Sequence, residues 1–171
     1  LPILWGFALV EEPVALGIGL AIAGTTDTLD GPVARMTGRS SRFGSQLDSV
    51  ADILIIGSAV AWMAMLRPEF FRAEAASLLI WLGIGLAGLA VTLVRFGRLG
   101  DLHLYSAKTA GVVGHIFAIW LFIFGDYHPA FWAVTIGLAL VAATETLLMA
   151  LLRRPDEEWT GSVFLRSRTS R

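Results

Sequence analysis

The stretch from residue 25 to residue 52 reads TTDTLDGPVARMTGRSSRFGSQLDSVAD and holds four aspartates and three arginines. Asp27 and Asp30 are three residues apart, and Asp48 and Asp52 are four apart, so each pair lies on one face if its segment is helical. At about 1.5 Å per residue, both pairs lie about 6–12 Å from the facing ends of the two predicted helices, so their depths match. The stretch therefore predicts two antiparallel neighbouring helices whose carboxylates meet.

The rest of the chain is strongly apolar. Of its 171 residues, 56% are hydrophobic and 16% are charged, whereas soluble domains have roughly 25% charged residues. Mean hydropathy is +0.70, and the composition as a whole predicts a membrane protein. The net charge of −1 provides no basic field for nucleic acid. The lack of cysteine excludes disulfides, thiolate metal sites and cysteine nucleophiles.

The apolar runs predict an all-α polytopic membrane bundle with six transmembrane helices, since roughly 20 residues are needed to span hydrocarbon. The first helix is expected to be truncated, because the chain begins at Leu1 inside an apolar run. The predicted helices cover residues 1–10, 13–35, 44–66, 75–94, 106–124 and 129–152. Together they form one transmembrane domain, residues 1–152, followed by a polar cytoplasmic tail, residues 153–171.

The basic residues predict how the chain is oriented. Lys and Arg in short loops remain on the cytoplasmic side of a membrane. If successive loops alternate, all but two of the 13 basic residues fall on one side, the exceptions being Arg67 and Arg72. We therefore expect both termini in the cytoplasm, the acidic pairs near the cytoplasmic surface, and a place in a bacterial inner (plasma) membrane.

Four carboxylates inside a membrane require neutralisation, since each costs about 2.5–3.5 kcal/mol at mid-bilayer. Divalent cations would neutralise them, and oxygen-only ligands favour Mg²⁺ or Mn²⁺ over zinc. Two such ions about 3.5–4 Å apart can clamp a phosphate or pyrophosphate. Gly31, Ala34 and Gly44 leave room for a bulky ligand near the backbone. Arg35 offers a two-pronged phosphate donor, and Ser41 adds a hydroxyl.

A motif with fixed spacing runs through the stretch: Asp27, Asp30-Gly31, Ala34-Arg35, Gly44, Asp48 and Asp52. This pattern resembles the complete signature of the CDP-alcohol phosphotransferase (CDP-alcohol phosphatidyltransferase) family of integral membrane enzymes, and no signature position departs. The six predicted helices agree with the usual layout of that family. The resemblance implies a transferase of phospholipid biosynthesis, in which an acceptor hydroxyl attacks a CDP-alcohol, usually CDP-diacylglycerol, and CMP leaves.

The resemblance also implies a role for each motif residue. Two Mg²⁺ or Mn²⁺ ions would be held by Asp27, Asp30, Asp48 and Asp52. The catalytic proton acceptor would be Asp52. The CDP-alcohol would contact Gly31, Ala34, Arg35, Ser41 and Gly44. The family further implies a homodimer. The apolar composition predicts membrane lipids as its surroundings, and the net charge predicts no nucleic acid partner.

The acceptor alcohol remains open at the level of sequence. Glycerol 3-phosphate is the first choice because of its frequency in the family, with inositol phosphate, phosphatidylglycerol, serine or an aminoalcohol as alternatives. Arg95, Arg98 and Lys108 lie on the predicted cytoplasmic side and are candidate contacts for a phosphorylated acceptor. The two arginines are equally well explained as topology determinants. A non-enzymatic ion pathway is a remote alternative, since the outer halves of the helices lack charges.

Two further groups of residues have structural interpretations. Glu145, a charge within the last predicted helix, is expected to form an internal ion pair or to have a packing role. The tryptophans are expected to be mostly interfacial anchors or lipid-facing bulk.

Overall fold

The computed structural model describes residues 1–36, 42–97 and 105–152, and their side chains apart from those of residues 27–36, 42–49 and 105. All regular structure in these ranges is α-helical. In chain order the helices are α1 (Pro2–Leu9), α2 (Pro13–Met36), α3 (Arg42–Leu66), α4 (Pro68–Ala73), α5 (Ala75–Phe96), α6 (Tyr105–Phe124) and α7 (Pro129–Leu152). The predicted all-α class is confirmed for the described part of the chain.

The helix bounds follow from local signals in the sequence. Pro13 and Pro129 each occupy the first position of a helix, where a missing N–H costs nothing. Gly97 and Gly125 follow the last residues of α5 and α6 with φ values of 65° and 82°. This left-handed conformation ends helices and is unfavourable for residues with a side chain. The six predicted helices agree with the observed bounds to within two residues.

Within the part of the chain that the structure describes, three helices are long and apolar enough to cross a membrane: Ala75–Phe96, Ser106–Phe124 and Pro129–Leu152. Two shorter apolar segments, Pro13–Thr26 and Val50–Leu66, lie within α2 and α3. The protein is therefore a helical membrane protein, and the count of six spans remains a prediction.

The chain divides into two compact units. The first comprises residues 1–75 and 115–132, and the second comprises residues 76–114 and the chain from residue 133 onward. In the first unit α2 packs against α6. A Cβ on Gly17 would lie 2.7 Å from Ile123 Cγ1 and 3.3 Å from Phe122 Cβ, so this glycine allows close contact between the two helices.

The short helix α4 was not predicted, and it forms part of an aromatic cluster in the first unit. Phe70 of α4 is 5% exposed. Its ring centroid lies 4.8 Å from that of Tyr127, 5.0 Å from that of Trp132 and 5.6 Å from that of Phe117. The contacts with Tyr127 and Trp132 are edge-to-face, and aromatic pairs of this kind add about 0.5–1.5 kcal/mol each beyond burial. The cluster therefore joins α4 to α6, α7 and the loop between them.

The expectation for the tryptophans is wrong for Trp62 and Trp132, which are 0% and 6% exposed. Trp62 packs edge-on against Trp5, with 5.5 Å between ring centroids, and Trp5 Nε1 donates to Ser58 Oγ at 3.1 Å. Trp132 belongs to the aromatic cluster around Phe70. An indole is large and amphipathic, so it suits a protein interior as well as a membrane interface.

Arg67, one of the two basic residues predicted to lie on the non-cytoplasmic side of the membrane, caps the C-terminal end of α6. Its Nε donates to the Leu121 carbonyl at 3.0 Å and its Nη2 donates to the Phe122 carbonyl at 2.7 Å. The last carbonyls of a helix have no partner within the helix, and a cation placed there also complements the helix dipole. A structural role therefore accounts for this exception to the predicted charge distribution.

Replacing Arg67 with Met should lower the thermal stability of the detergent-solubilised protein. The change removes two charge-assisted hydrogen bonds, each contributing about 1.5–3 kcal/mol, while water replaces them only in part. We expect a net loss of roughly 2–3 kcal/mol, measured as a fall in unfolding temperature. Arg72→Met is the matched control, because Arg72 is exposed on the neighbouring α4. Equal losses for both variants would contradict the capping role.

Glu74, which follows α4, accepts hydrogen bonds from the Tyr127 hydroxyl at 2.9 Å and from Trp132 Nε1. Burial raises the pKa of the Tyr127 phenol above its ordinary value, and the hydrogen bond and negative charge of Glu74 raise it further. The phenol therefore keeps the proton that it donates. These contacts connect the residue that follows α4 to the segment between α6 and α7 and to α7.

In the second unit α5 packs against α7. Gly88 is buried, and a Cβ there would lie 3.5 Å from the Leu147 backbone. Thr92, also buried, bonds back to the Gly88 carbonyl at 2.8 Å. Gly88 thus allows close packing between two helices of the chain, as small residues commonly do in membrane proteins.

Candidate active site

The structure places the motif on two long helices. Asp27, Asp30, Gly31, Ala34 and Arg35 lie within α2, whereas Gly44, Asp48 and Asp52 lie within α3. Because both segments are α-helical, each aspartate pair shares one face of its own helix. Ser41 lies outside the described residues, as do the side chains of the other motif residues up to Asp48. The meeting of the two pairs therefore remains a prediction.

Asp52 is the motif residue whose side chain is described. It is exposed, and in the sequence it directly precedes the mostly apolar residues 53–66 of α3. The carboxylate is thus at the polar edge of an apolar helix segment. Such a position gives a carboxylate access to reactants that arrive from water.

The turn of α2 just before Asp27 is rich in hydroxyl groups that are already bonded. Thr25 Oγ1 donates to the Ile22 carbonyl at 2.8 Å, and Thr26 Oγ1 donates to the Ala23 carbonyl at 2.8 Å. Thr and Ser in helices commonly bond back in this way, which lets them lie in apolar surroundings. Both threonines are exposed. Their bonds supply a structural reason for the polar sequence next to the first aspartate.

His115 is a candidate that the sequence interpretation missed. It lies within α6, and its Nε2 is 3.0 Å from the carbonyl oxygen of Leu20 in α2. Leu20 lies about two helical turns before Asp27. A signal was available, because an ionisable residue in an apolar span is a candidate for function by default. The contact with α2, by contrast, could not be obtained from spacing along the chain.

The predicted acceptor-binding residues belong to the second unit. Lys108 is exposed near the start of α6, and Arg98 lies outside the described residues. Arg95 is exposed at the end of α5, where its Nη1 donates to the Ala150 carbonyl at 2.8 Å and also to the Leu151 carbonyl. It therefore caps the last turn of α7. Any contact of these residues with an acceptor stays a prediction.

Glu145 is a buried carboxylate of the second unit, with 6% of its surface exposed. It accepts a hydrogen bond from Ser106 Oγ in the first turn of α6. This contact joins α7 to the segment that carries Lys108. A packing role, one of the two expectations for Glu145, agrees with this contact, whereas the expected ion pair stays a prediction.

The fold and the motif together define the class of this protein: it is a helical membrane protein with a pair of aspartates on each of two long helices. Within that class, the sequence profile of the CDP-alcohol phosphatidyltransferase family matches residues 1–152. The chain therefore belongs to this family of enzymes, which use a CDP-alcohol donor and an alcohol acceptor. The family resemblance inferred from residues 27–52 is confirmed, and membership of an enzyme family contradicts the alternative of a non-enzymatic ion pathway.

Several known proteins are similar to the chain. The CDP-diacylglycerol--glycerol-3-phosphate 3-phosphatidyltransferases of Shigella flexneri serotype 5b and Escherichia coli K12 are each 27% identical over 150 residues, covering 86% of this chain and 77% of theirs. A probable cardiolipin synthase (CMP-forming) of Drosophila melanogaster is 47% identical over 57 residues, covering 32% of this chain and 18% of its own. No solved structure matches the chain.

Proposed function

We propose that the protein transfers the phosphatidyl group of CDP-diacylglycerol to glycerol 3-phosphate and releases CMP. The observation that carries this proposal is the complete eight-position motif on α2 and α3 in a chain that belongs to the family over residues 1–152. The choice of acceptor is supported by relatives named for glycerol 3-phosphate, whose similarity extends over 86% of the chain. Their similarity is not restricted to the motif, so it includes segments outside the donor site.

The four aspartates are proposed to hold two divalent cations. Their chemistry fits this role, because carboxylate oxygens are the ligands that Mg²⁺ and Mn²⁺ prefer. The helical spacing of each pair also allows both of its carboxylates to bind the same ion. When bound, such ions neutralise the diphosphate and stabilise negative charge that develops on CMP. Gly31, Ala34, Arg35, Ser41 and Gly44 are proposed to contact the CDP moiety.

The proposed reaction is a direct displacement at the lipid-side phosphorus. The acceptor hydroxyl oxygen forms the new P–O bond, the bond from that phosphorus to the CMP oxygen breaks, and CMP leaves with the bonding electrons. Asp52 takes the proton of the acceptor hydroxyl as the bond forms. A positioned carboxylate of this kind contributes about 10²–10⁴-fold to the rate. The exposure of Asp52 at the edge of an apolar segment supports this role.

We propose that the protein resides in a bacterial inner membrane with this site facing the cytoplasm, and that it forms a homodimer. The distribution of Lys and Arg along the chain supports the orientation. Such an orientation lets CDP and the acceptor reach the site from water while acyl chains remain in lipid.

A second acceptor, phosphatidylglycerol, is favoured by a separate observation. The similarity to the probable cardiolipin synthase reaches 47% identity, although it spans 57 residues. That product would be cardiolipin, and the donor and leaving group would be unchanged. Inositol phosphate, serine and aminoalcohols lack a comparable observation.

Release of CMP from CDP-diacylglycerol tests the proposal. Purified protein in detergent or nanodiscs is supplied with the donor and with one acceptor at a time from the five classes. We expect CMP release with glycerol 3-phosphate, together with a product that carries the phosphatidyl group. If phosphatidylglycerol is the one acceptor that gives CMP release, glycerol 3-phosphate is not the acceptor and the reaction is cardiolipin synthesis.

Replacing Lys108 with Ala should raise the KM for glycerol 3-phosphate by about tenfold or more, since a charge-assisted hydrogen bond contributes about 1.5–3 kcal/mol. The KM for CDP-diacylglycerol should change little. Steady-state kinetics with each substrate varied in turn measures both constants. Arg72→Ala, which removes an exposed cation from α4, serves as the control. Equal effects on both KM values would argue against acceptor binding by Lys108.

A further inference from the structure

His115 is an ionisable residue inside the apolar helix α6, and nothing in the proposed reaction uses it. Its imidazole is partly buried in the first unit. Polar and ionisable groups within membrane spans are costly and are retained mainly where they have a function. The contacts of His115 indicate what that function is.

The imidazole of His115 is bonded to the backbone of α2. Its Nε2 lies 3.0 Å from the Leu20 carbonyl oxygen. A carbonyl can only accept, so Nε2 carries the proton and donates it. Within an α-helix the Leu20 carbonyl also accepts from the N–H of Gly24, and its second lone pair remains for the imidazole. The bond therefore ties the two helices together without breaking α2.

Gly24 makes this approach feasible. A Cβ at this position would lie 2.3 Å from His115 Nε2 and 2.9 Å from Cδ2, which is far inside van der Waals contact. Seven residues earlier, Gly17 has a similar relation to Ile123, which lies eight residues after His115. The two contacts run in opposite directions along the helices. In the first unit α2 and this part of α6 are therefore antiparallel neighbours.

The contact lies on the face of α2 that carries the first aspartate. Leu20, Gly24 and Asp27 follow the i, i+4, i+7 register, which places residues on one side of a helix. Asp27 is one turn beyond Gly24, about 4.5 Å along the helix axis. A change in the rotation or height of α2 at the His115 contact would thus be passed directly to Asp27.

We propose that His115 is a positioning residue: its bond to the Leu20 carbonyl, made through the gap at Gly24, fixes the part of α2 that carries Asp27 and Asp30. This inference rests on the proposed function of those aspartates. Misplacement of reacting groups by about 1 Å can cost about 10²-fold in rate. His115 itself need not touch either substrate for this effect.

The experiment compares His115→Gln with His115→Met in the full chain. The two side chains have similar lengths, but Gln can donate a hydrogen bond near the position of Nε2 whereas Met cannot. We expect His115→Met to lower kcat for CMP release by about tenfold to hundredfold, with little change in the KM for CDP-diacylglycerol. His115→Gln should retain most of the wild-type kcat.

Two glycine variants separate positioning from packing. Gly24→Ala should lower kcat as His115→Met does, because the new methyl group displaces the imidazole. Gly17→Ala introduces a similar clash, 2.7 Å from Ile123 Cγ1, but ten residues away from Asp27. It should lower the unfolding temperature and leave the kcat of the folded enzyme near that of the wild type. If His115→Met does not fold, the comparison of Gly24→Ala with Gly17→Ala tests the positioning role of His115.

A wild-type kcat for His115→Met, or equal losses of kcat in Gly17→Ala and Gly24→Ala, would overturn the inference. The assay uses whichever acceptor gives the highest CMP release with the wild-type protein. Activity with an acceptor other than glycerol 3-phosphate would overturn the proposed acceptor alone. The comparison among the His115 and glycine variants would still be decisive.

Discussion

Replacing Asp52 with Asn is expected to reduce CMP release from CDP-diacylglycerol by about 10²–10⁴-fold, the usual contribution of a positioned general base. The amide has nearly the same shape as the carboxylate but cannot take the proton of the acceptor hydroxyl. Binding of the CDP-lipid should survive at saturating Mg²⁺ or Mn²⁺, because three of the proposed metal ligands and Arg35 are unchanged. The measurement is kcat from CMP release, combined with the dissociation constant for the CDP-lipid.

The control for this variant is Asp126→Asn. Asp126 is an exposed carboxylate in the segment between α6 and α7, far along the chain from the motif. It should keep the wild-type kcat, so that a loss in Asp52→Asn cannot be attributed to a general effect of one removed charge. An Asp52→Asn enzyme that turns over at the wild-type rate would refute the assignment of the proton acceptor.

The helices were predictable because their sequence signals are local. An apolar run, a proline at the first position and a glycine after the last residue fix the bounds of α7 and α5 without knowledge of the fold. The six residues of α4 form no such run. Phe70 instead orders this segment through ring contacts with Phe117, Tyr127 and Trp132, which are distant in sequence. Tertiary packing rather than periodicity determines this helix.

The same distinction separates what could be predicted of the site from what could not. The spacing of Asp27 and Asp30, and of Asp48 and Asp52, requires only a helical backbone, and the backbone is helical in both places. The contact of His115 with Leu20 joins residues 95 positions apart. No pattern of spacing contains that information, because the pairing of α2 with α6 depends on how the bundle packs.

Three long polar side chains of the described residues donate to backbone carbonyls of other helices. Arg67 donates to the last carbonyls of α6, and Arg95 donates to those of α7. His115 uses the second lone pair of the Leu20 carbonyl within α2. In a membrane such bonds are well suited to fixing helix positions, since lipid offers no competing donors or acceptors. The backbones of α2, α6 and α7 thus each accept a hydrogen bond from an arginine or histidine side chain of another helix or segment.

Removal of divalent cations is expected to abolish CMP release, and readdition of Mg²⁺ or Mn²⁺ is expected to restore it. Stabilisation of transition-state charge by bound metal ions contributes several kcal/mol. A loss of about 3 kcal/mol already lowers the rate by more than about 100-fold. The measurement is CMP release by protein treated with EDTA and then titrated with each ion. The aspartate pairs are the reason for expecting a steep dependence, since four carboxylates that meet as proposed would repel one another in the absence of cations.

Variants of the pairs connect this requirement to particular residues. Asp48→Asn should raise the concentration of Mn²⁺ that gives half-maximal activity, because one anionic ligand becomes a neutral amide. The control Asp126→Asn should leave that concentration unchanged, since Asp126 lies outside the motif. Calcium tests selectivity: its larger radius and higher coordination number suit a flexible site, so we expect weak activity at best. Undiminished activity after thorough chelation would mean that the aspartate pairs act without metal ions, and that Arg35 must then carry the neutralisation of the diphosphate.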